Sequence, residues 1–451
     1  MKKWSCPLAT RAFALAFGGL LLGLPGRAQQ FDVRTHQLKN GMKLLMVEDQ
    51  AIPNVALYLF HRVGSRNEHT GLTGLSHFFE HMMFNGAKQY GPGQFDRVME
   101  DHGGANNAYT SEDMTVYQDW FPTGTLPLIF DLEADRTRSL GFDPKMVESE
   151  RAVVANERRL SVENDNESLL REQLMAAAFT AHPYHWPVIG WMVDIEHWKR
   201  EDLMDYFRVY YAPNNCTLVI VGDIQTNEVV RLARRYLEPI PAQPPPRPVT
   251  TVEPEQLGER RVWLHKFAQL PLLQVAYHTP AATNADFIPL SVLDYLLLRG
   301  QSSRLYQRLV DKEQVAVSVS GGQSEHLDPF VFEIDIQPRS GIPTERVEKV
   351  LYEELERAGA RGVEERELQK AKNTAVADFY RSIKTINGKA QALGTYAVVF
   401  GDYHRLFQTV DLINQVSRED VQRVAKKYFG ARNRTVAVLV PDPSAGGKDK
   451  P

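Results

Sequence analysis

The chain has 451 residues, which is more than a single hydrophobic core usually holds, so we expect at least two packed units. A composition of 43% hydrophobic and 24% charged residues is that of an ordinary globular protein and excludes the disordered and fibrous classes. The formal net charge of -4 provides no basic field for a phosphate backbone, so we expect no nucleic-acid partner.

The N-terminal segment has the pattern of a secretory signal. Lys2 and Lys3 precede an apolar run at residues 12–24, and small residues follow that run. This pattern predicts a signal peptide at residues 1–28 and a periplasmic location, with an extracellular or membrane-anchored protein as the alternatives. The apolar run is shorter than the ~20 residues of a spanning helix, so we expect no stable membrane span after cleavage.

Alternating apolar runs and longer periodic segments predict a mixed chain of strands and helices. Residues 55–60 and 217–221 are typical of strands, whereas residues 169–179 and 347–358 have the spacing of amphipathic helices. The coarse class is therefore mixed α and β.

A proline cluster divides the chain. Residues 239–248 can form neither a helix nor a ladder of strands, so they predict a semi-rigid linker over residues 239–262. The linker separates a first half, residues 29–238, from a second half, residues 263–440. Pro, Gly, Lys and Asp dominate residues 441–451, which we predict to be a disordered tail.

The two halves are similar to each other when the sequence is shifted by 218 positions, which places residues 210–221 over residues 428–439. With a slightly different shift, residues 77–86 lie over residues 291–300, and two histidines of the first half have no histidine opposite them. The pattern indicates an internal duplication in which only the first half carries chemistry. The alternative is a chance similarity between amphipathic segments.

His77, Glu80 and His81 form an H-x-x-E-H pattern. On a helix, positions four apart lie on one face, so both imidazoles can reach one metal ion. Neutral imidazoles suit zinc, and a catalytic zinc keeps three protein ligands and a water, so a further carboxylate is required. Three nearby residues are predicted to limit this helix: Thr73 or Ser76 as its cap and Gly86 as its end.

Glu150 and Glu157 are the candidate carboxylates. They are seven positions apart, so on a helix they share a face, and one can bind the metal while the other orients or supports it. Solvated helix charges are the ordinary alternative. Val153 and Val154 predict partial burial of this helix, and a buried carboxylate requires a cation.

Together these segments resemble the inverted zinc peptidases that include pitrilysin, insulin-degrading enzyme and mitochondrial processing peptidase. The resemblance covers essentially the whole mature chain and includes three further segments: residues 104–110, 182–187 and 302–306. It implies an α+β fold in which two homologous halves, each an antiparallel sheet covered by helices, face each other across a cleft. The first half is then the catalytic, zinc-binding half, and the second is its non-catalytic homologue.

The same resemblance implies roles for individual residues. It makes Glu157 the third ligand of one Zn²⁺ per chain, beside His77 and His81. Glu80 becomes the general base that takes a proton from water and passes it to the leaving amine, and Glu150 becomes an accessory acidic residue that assists catalysis. Cobalt or manganese can occupy similar ligands.

The implied substrates are peptides or short unfolded polypeptides, cleaved internally. Asn107, Ala108 and Tyr109 match the edge strand that pairs with an extended substrate in this family, which is a case of strand addition. His185 lies in a further matching segment and is an additional candidate for substrate contact.

One segment departs from the family pattern. Members that complete the site within one polypeptide carry an arginine and a tyrosine where this chain has Val310 and Val317. Valine offers neither a donor nor a cation to charge that develops on the substrate. We therefore predict a heterodimer with a homologous partner subunit that carries the arginine and tyrosine. Arg304 and Tyr306 are possible substitutes, but their spacing does not fit the pair.

Two alternatives belong to other functional classes. The first is a non-catalytic assembly or binding subunit of the same fold, although such relatives typically lose the metal ligands that this chain retains. The second is a zinc hydrolase that uses the same ligands on another kind of substrate. Metal content measured together with peptide turnover tests the first alternative, and a substrate panel tests the second.

Overall fold

The structure, a computed structural model, describes residues 31–442 and Ser444. The predicted signal peptide lies outside the described residues. Strands and helices alternate along the chain and form two α/β halves, each built on one sheet, so the predicted α+β class with two halves is confirmed. Among the described residues, no helix is both long and apolar enough to cross a membrane.

The first half contains a six-stranded sheet with the order β1-β2-β6-β3-β5-β4. Its strands are β1 (Arg34–Gln37), β2 (Lys43–Glu48), β3 (Asn54–His61), β4 (Ala105–Thr110), β5 (Thr115–Pro122) and β6 (Cys216–Gly222). Its helices are α1 (Leu75–Met82), α2 (Gln94–Asp101), α3 (Leu126–Ser139), α4 (Pro144–Arg158), α5 (Asn166–Ala178), α6 (Met192–His197), α7 (Arg200–Tyr210) and α8 (Thr226–Tyr236). Strand β4 forms one edge of this sheet.

The second half contains a five-stranded sheet with the order β7-β11-β8-β10-β9. Its strands are β7 (Arg260–Lys266), β8 (Leu272–Thr279), β9 (Ala316–Gly322), β10 (Phe330–Pro338) and β11 (Arg434–Pro441). Its helices are α9 (Phe287–Leu297), α10 (Thr344–Arg361), α11 (Glu365–Ser382), α12 (Ile386–Val399), α13 (Thr409–Gln415) and α14 (Arg418–Tyr428).

Apart from β1, the two sheets have the same strand order, as a duplication requires. The shift of 218 positions relates the starts of α7 and α14, of β6 and β11, and of β3 and β8. At equivalent turns, the side-chain amide of Asn215 donates to the carbonyl of Tyr210 at 2.8 Å, and that of Asn433 donates to the carbonyl of Tyr428 at 2.8 Å. The internal repeat is therefore present in three dimensions.

The strands predicted at residues 55–60 and 217–221 lie within β3 and β6, and the predicted helices correspond to α5 and α10. The predicted antiparallel sheets each contain one parallel pair, β2 with β6 and β7 with β11. These pairs are parallel because the last strand of each half is reached through a crossover of helices rather than through a hairpin.

The predicted linker and tail are described in part. Residues 241–259 contain no helix or strand, and β7 begins at Arg260. Pro441, which the sequence placed in the tail, is instead the last residue of β11 and pairs with Lys266 of β7. The adjacent Asp442 continues this pairing, because its N–H donates to the carbonyl of Lys266 at 2.9 Å.

The halves are joined by an exchange of helices. Helix α5 of the first half packs on the second sheet, where Leu170 and Leu174 contact a core that includes Ala437. Helix α12 of the second half packs on β3 and β6 of the first sheet. Gly394 permits this close approach, because a Cβ atom there would lie 2.0 Å from the ring of Phe60. Each half therefore completes the apolar core of the other.

Helix α1 lies on the opposite face of the first sheet from α12. Phe78, Phe79 and Met82 are fully buried in the core of the first half, and the stretch from Leu75 contacts α4, β4 and β5. Burial of this apolar side fixes the rotation of the helix about its axis. The polar residues between the buried positions consequently face away from the core, toward α4.

Candidate metal centre

The start of α1 is held by acidic side chains from outside the helix. The Glu68 carboxylate accepts hydrogen bonds from the N–H groups of Gly74 and Ser76, both at 2.7 Å. Asp194 accepts from the N–H and hydroxyl of Thr73, at 3.1 and 2.6 Å. The predictions of Thr73 or Ser76 as the cap are therefore wrong, because the carboxylate of Glu68, in the turn before the helix, accepts from the free N–H groups.

Gly74 precedes the helix in a left-handed conformation, with φ of 88°. A Cβ atom at this position would lie 2.4 Å from the carbonyl oxygen of Ile189, so only glycine fits. The helix ends at Met82, before the predicted end at Gly86. The backbone thus presents the motif on a short helix that is anchored at its start.

His77, His81 and Glu157, the three ligands that the resemblance implied, lie close together. One ligand atom from each lies within 4.8 Å of the others. The Nε2 atom of His77 is 3.7 Å from Oε1 of Glu157, and Nε2 of His81 is 3.3 Å from Oε2 of the same carboxylate. Both glutamates of the predicted pair lie on α4, which packs beside α1.

These distances fit a tetrahedral zinc site. With metal–ligand bonds of about 2.0–2.1 Å, ligand atoms on a tetrahedral zinc are separated by about 3.4 Å. The two imidazoles are largely buried, whereas the Glu157 side chain is 40% exposed, so the centre is open to solvent on one side. A site of two imidazoles and one carboxylate with an open side is typical of catalytic rather than structural zinc.

Helix α4 is partly buried, as predicted, but only one of the two valines that led to this prediction is itself buried. Val154 is fully buried, whereas Val153 is 49% exposed. Successive residues on a helix are rotated by about 100°, so only one of the two can face the core.

Glu150 orients His81. Its Oε1 atom lies 2.7 Å from Nδ1 of His81, so the other ring nitrogen, Nε2, is directed toward Glu157. Asn85 donates from its side-chain amide to Oε2 of Glu150 at 2.6 Å. A carboxylate on the distal nitrogen fixes the tautomer and direction of a metal-binding imidazole. The contact of Asn85 could not be read from the sequence, because asparagine carries no recognisable spacing here.

The charges around the two histidines differ. Burial, with a further contribution from His81, lowers the pKa of His77 to about 4, so its imidazole is neutral. Burial also acts to lower the pKa of His81, but hydrogen bonds with Glu150 and Glu157 outweigh it and raise this pKa to about 9. Because a metal ion binds the neutral form of an imidazole, metal binding at His81 would release this proton.

The side chain of Glu80 extends from α1 toward the edge strand β4. Its Oε2 atom accepts a hydrogen bond from the hydroxyl of Thr110, at the end of β4, at 2.7 Å. Burial raises the pKa of Glu80, and the bond from Thr110 opposes this effect. Thr110 lies within the matching segment at residues 104–110, but the sequence predicted no role for it.

The predicted substrate residues lie on β4, whose side chains alternate between the two faces of the sheet. Ala108 packs on the core beneath α1, whereas the hydroxyl of Tyr109 accepts from the side-chain amide of Gln391 of α12 at 2.6 Å. Asn107 is exposed. The Tyr109 side chain therefore contacts the opposite layer from the metal helix, and any contribution of this residue to substrate binding comes from its backbone.

The structure does not bring His185 into the cluster of ligand atoms. Its ring lies edge-on to the ring of Trp186, with 4.7 Å between the centroids. The neighbouring residues of this segment join the halves: His182 lies 3.1 Å from Asp328, and the hydroxyl of Tyr184 accepts a hydrogen bond from the N–H of Asp328 at 3.3 Å. The segment thus has a structural function at the contact between the halves.

The second half places its candidate residues elsewhere. Arg304 pairs with Glu367 at 2.6 Å, and Tyr306 packs against the core of the second half. Val310 is buried, and Val317 is 54% exposed on the edge strand β9. Arg304 and Tyr306 are therefore engaged in the packing of their own half.

A cavity of about 290 Å³ opens beside His77 and Glu157, two of the candidate metal ligands. Its lining includes three buried hydrophobic side chains: Met175, Trp186 and Ile189.

Comparisons with known proteins point to one family of peptidases. Residues 43–190 match the family model described as insulinase, peptidase family M16, and residues 197–375 match the model described as the peptidase M16 inactive domain. The zinc protease PqqE of Helicobacter pylori is 31% identical over 414 residues, which cover 90% of this chain and 92% of that protein. The uncharacterized zinc protease YmxG of Bacillus subtilis is 22% identical over 88% of this chain and 96% of its own.

Solved structures show the same fold. The crystal structure of a protease from Helicobacter pylori superposes with a TM-score of 0.88 and 29% identity, over 91% of this chain and 100% of that one. The periplasmic protease PqqL from Escherichia coli superposes with a TM-score of 0.76 and 20% identity, over 94% of this chain and 49% of that one. This chain therefore spans about half the length of PqqL.

Proposed function

Because the chain belongs to peptidase family M16, we propose that it is a zinc metalloendopeptidase that hydrolyses peptides or short unfolded polypeptides. The observation that carries the proposal is the convergence of His77, His81 and Glu157, whose ligand atoms lie within 4.8 Å of one another at the edge of a cavity. The relatives named as zinc proteases support the same metal. We assign one Zn²⁺ per chain to these three residues.

The residues around the ligands supply the remaining chemistry. When bound, zinc polarises a carbonyl and lowers the pKa of a bound water to about 7. Glu80, on the same helix as the histidines, accepts the proton of the attacking water on its carboxylate and returns it to the leaving amine. The raised pKa of Glu80 suits this role, because a base that is too weak cannot take the proton. Glu150 keeps His81 in the ligating orientation.

The edge strand β4 is the surface for the substrate backbone. It pairs with β5 on one side, and on its other side its N–H and C=O groups have no strand partner within the described part of the chain. An extended peptide can add to this edge along Asn107, Ala108 and Tyr109. Thr110, at the end of the strand, holds Glu80 next to the residue where the peptide would be cleaved.

The chain is proposed to work with a homologous partner subunit. Val310 and Val317 lack the donor and the cation that stabilise developing negative charge, and Arg304 is already paired with Glu367. The two-fold greater length of PqqL supports this idea, since a half-length chain needs a second one to match it. The partner would supply an arginine and a tyrosine.

Export to the periplasm is proposed from the predicted signal at residues 1–28. The structural neighbour PqqL is described as a periplasmic protease, which supports the same compartment.

The test is zinc content and peptide cleavage measured together. The mature chain would be assayed on a library of quenched fluorescent peptides, alone and mixed with a homologous chain that carries the arginine and tyrosine, with Glu80→Gln as the inactive control. Cleavage that appears in the mixture and disappears with Glu80→Gln supports the full proposal. Cleavage by the lone chain refutes the need for a partner, and zinc without any cleavage favours a non-catalytic binding subunit.

A further inference from the structure

The turn that joins β4 to β5 lies where the two halves meet. It comprises residues 111–114 and directly follows Thr110, whose hydroxyl donates to the proposed base Glu80. Asp113, in this turn, is only 3% exposed. A carboxylate withdrawn from water to this extent requires partners that replace its hydration.

The partners of Asp113 come from both halves. In the first half, its Oδ1 atom accepts a hydrogen bond from the hydroxyl of Tyr184 at 2.7 Å and lies 3.3 Å from Nε of Arg66. In the second half, its Oδ2 atom lies 2.9 Å from Nδ1 of His326 and accepts from the N–H of Leu327 at 3.1 Å. One carboxylate therefore connects the turn to residues 213 and 214 positions away.

His326 and Leu327 belong to the segment that joins β9 to β10, the hairpin of the second half. In the order of the two sheets, β9 and β10 take the places of β4 and β5, so the contact joins equivalent turns of the two repeats. The ring of His326 is buried and stacks on Phe330 with 3.6 Å between centroids, and its Nε2 atom lies 2.9 Å from the hydroxyl of Ser324. The second half thus holds this imidazole in a fixed orientation toward the first.

The contact between Asp113 and His326 has ionic character. Burial acts to lower the pKa of His326, but the hydrogen bond with Asp113 outweighs it and raises this pKa. Beside this pair, Asp328 of the second half pairs with Arg66 and lies 3.1 Å from His182. Because hydrogen bonds between charged groups are stronger than those between neutral ones, these contacts oppose a displacement of the turn.

The turn connects this contact to Glu80 over a short distance along the chain. The hydroxyl of Ser111 accepts from the N–H groups of Asp113 and Met114 at 3.3 and 3.2 Å, and the N–H of Ser111 donates to the carbonyl of Met114 at 2.8 Å. These bonds hold the turn in one conformation. The residue before Ser111 is Thr110, so a displacement of the turn would move the hydroxyl that lies 2.7 Å from Glu80.

We propose that Asp113 and His326 are positioning residues for the base, since their contact holds the hairpin turn where Thr110 stays bonded to Glu80. The inference rests on the proposed peptidase function and adds a role for the second half, which acts on the reaction through the turn. A contact that served only the fold would stabilise the chain without affecting the alignment of Glu80.

A double-mutant cycle tests whether the contact acts through Thr110. The first half also holds the turn, because the N–H of Arg66 donates to the carbonyl of Glu112 at 2.9 Å, so we expect a moderate effect. His326→Ala should lower kcat by about fivefold at unchanged zinc content. In a chain that already carries Thr110→Val, the same change should lower kcat by less than about twofold, because the bond that it positions is absent.

The measurement is cleavage of one quenched peptide by the four zinc-loaded chains, with the partner subunit added where the lone chain is inactive. Equal losses in the two backgrounds would overturn the proposal, since independent effects multiply.

Two further variants separate the hydrogen bond from the packing of the ring. His326→Asn is the rescue variant, because its amide nitrogen can donate from nearly the position of Nδ1, and it should restore most of the lost kcat. His404→Ala is the matched control: it removes another histidine of the second half, 2.6 Å from Asp402 but 63% exposed, and should leave kcat unchanged in both backgrounds. An asparagine variant as impaired as the alanine variant would refute a role of the hydrogen bond.

Hydrogen exchange measured by mass spectrometry follows the turn independently of peptide hydrolysis. In fragments that cover residues 105–114, His326→Ala should speed amide exchange by about fivefold, whereas His404→Ala should not change it. Unchanged exchange in His326→Ala would overturn the proposal and leave the peptidase function intact. Faster exchange in that variant, with no hydrolysis by the parent chain, would support the hold of His326 on the turn and refute the peptidase function instead.

Discussion

The two halves of this chain share a scaffold but use it differently. Helices α1 and α9 occupy equivalent places, each packed against the second helix after the hairpin of its own half, α4 or α11. In the first half, His77 and His81 face the carboxylates of α4. In the second half, Ser291 and Tyr295 align with the histidines.

The second half also lacks the carboxylates that lie on α4 of the first half. By the shift of 218 positions, Glu150 and Glu157 correspond to Leu368 and Ala375, which are buried in the apolar core. Asp294, which aligns with Glu80, is 3% exposed and pairs with Arg299 at 2.7 Å. The second half thus pairs this carboxylate with an arginine, whereas the first half directs two histidines and a glutamate at a cavity. The proposed chemistry therefore belongs to the half whose polar side chains at these positions are not paired within the core.

The largest expected effect comes from removing the base in the first half. Glu80→Gln should lower kcat by about 10²- to 10⁴-fold, because the amide cannot accept the proton of the attacking water, while zinc content stays the same. The equivalent change in the second half, Asp294→Asn, should alter kcat by no more than about twofold. Steady-state cleavage of one quenched peptide checks both variants. Equal losses of kcat in the two variants would contradict the claim that only the first half carries the chemistry.

Glu150 should act on the metal through His81. Glu150→Ala removes the hydrogen bond that orients the imidazole, so we expect zinc affinity to fall by about 10- to 100-fold. Competition with a chelator of known affinity measures this change. Glu148→Ala, on the same helix but 72% exposed, is the matched control and should have no effect. If activity were lost while zinc affinity stayed unchanged, Glu150 would take part directly in the reaction rather than orient His81.

Thr110 tests the link between the edge strand and the base. Thr110→Val keeps the shape of the side chain but removes the hydroxyl that donates to Glu80, so we expect kcat to fall by about tenfold. Thr110→Ser retains the donor and should restore most of the activity. A serine variant as impaired as the valine variant would show that packing of the methyl group, rather than the hydrogen bond, matters at this position.

The smallest effect is expected on stability, at a contact that joins α9 and α14 of the second half. There Asp286 accepts hydrogen bonds from Lys427 at 2.8 Å and Tyr428 at 2.7 Å. Burial opposes ionisation, but these bonds and Arg423 lower the pKa of Asp286 to about 2. The unfolded value is higher, near 3.9, so the carboxylate stabilises the fold above about pH 4 and loses this contribution as pH falls toward 2.

Asp286→Asn should therefore lower the melting temperature by about 2–4 °C at pH 7 without changing kcat. The difference between the variant and the parent should shrink as the pH is lowered from 4 to 2. Calorimetric melts over this range provide the measurement. A difference that persists at the lowest pH would assign the effect to shape rather than to charge.

The local part of the site was accessible from the sequence. His77 and His81 are one helical turn apart, and Glu150 and Glu157 are two turns apart, so both pairs could be recognised from spacing alone. The internal repeat likewise predicted a second half without ligands. The assignment of Glu157 rather than Glu150 to the metal came from the family resemblance, because spacing treats the two alike.

The supporting contacts were not accessible, because they join residues that are distant in sequence. Asn85 reaches Glu150 across 65 positions, and Thr110 reaches Glu80 across 30. Glu68 caps α1 from a turn that precedes it, so the local search for a serine or threonine cap gave the wrong residue. The side on which Tyr109 faces depends on α12 of the other half, and no pattern within β4 encodes it.

Zinc content is the most direct test of the central claim, that the first half alone holds the metal. Mass spectrometry of the intact mature chain under native conditions would be compared with that of Glu157→Ala and of Tyr295→Phe, the control at the position aligned with His81. The account predicts one zinc in the parent and in the Tyr295 variant and none in the Glu157 variant. A full complement of zinc in Glu157→Ala would contradict it.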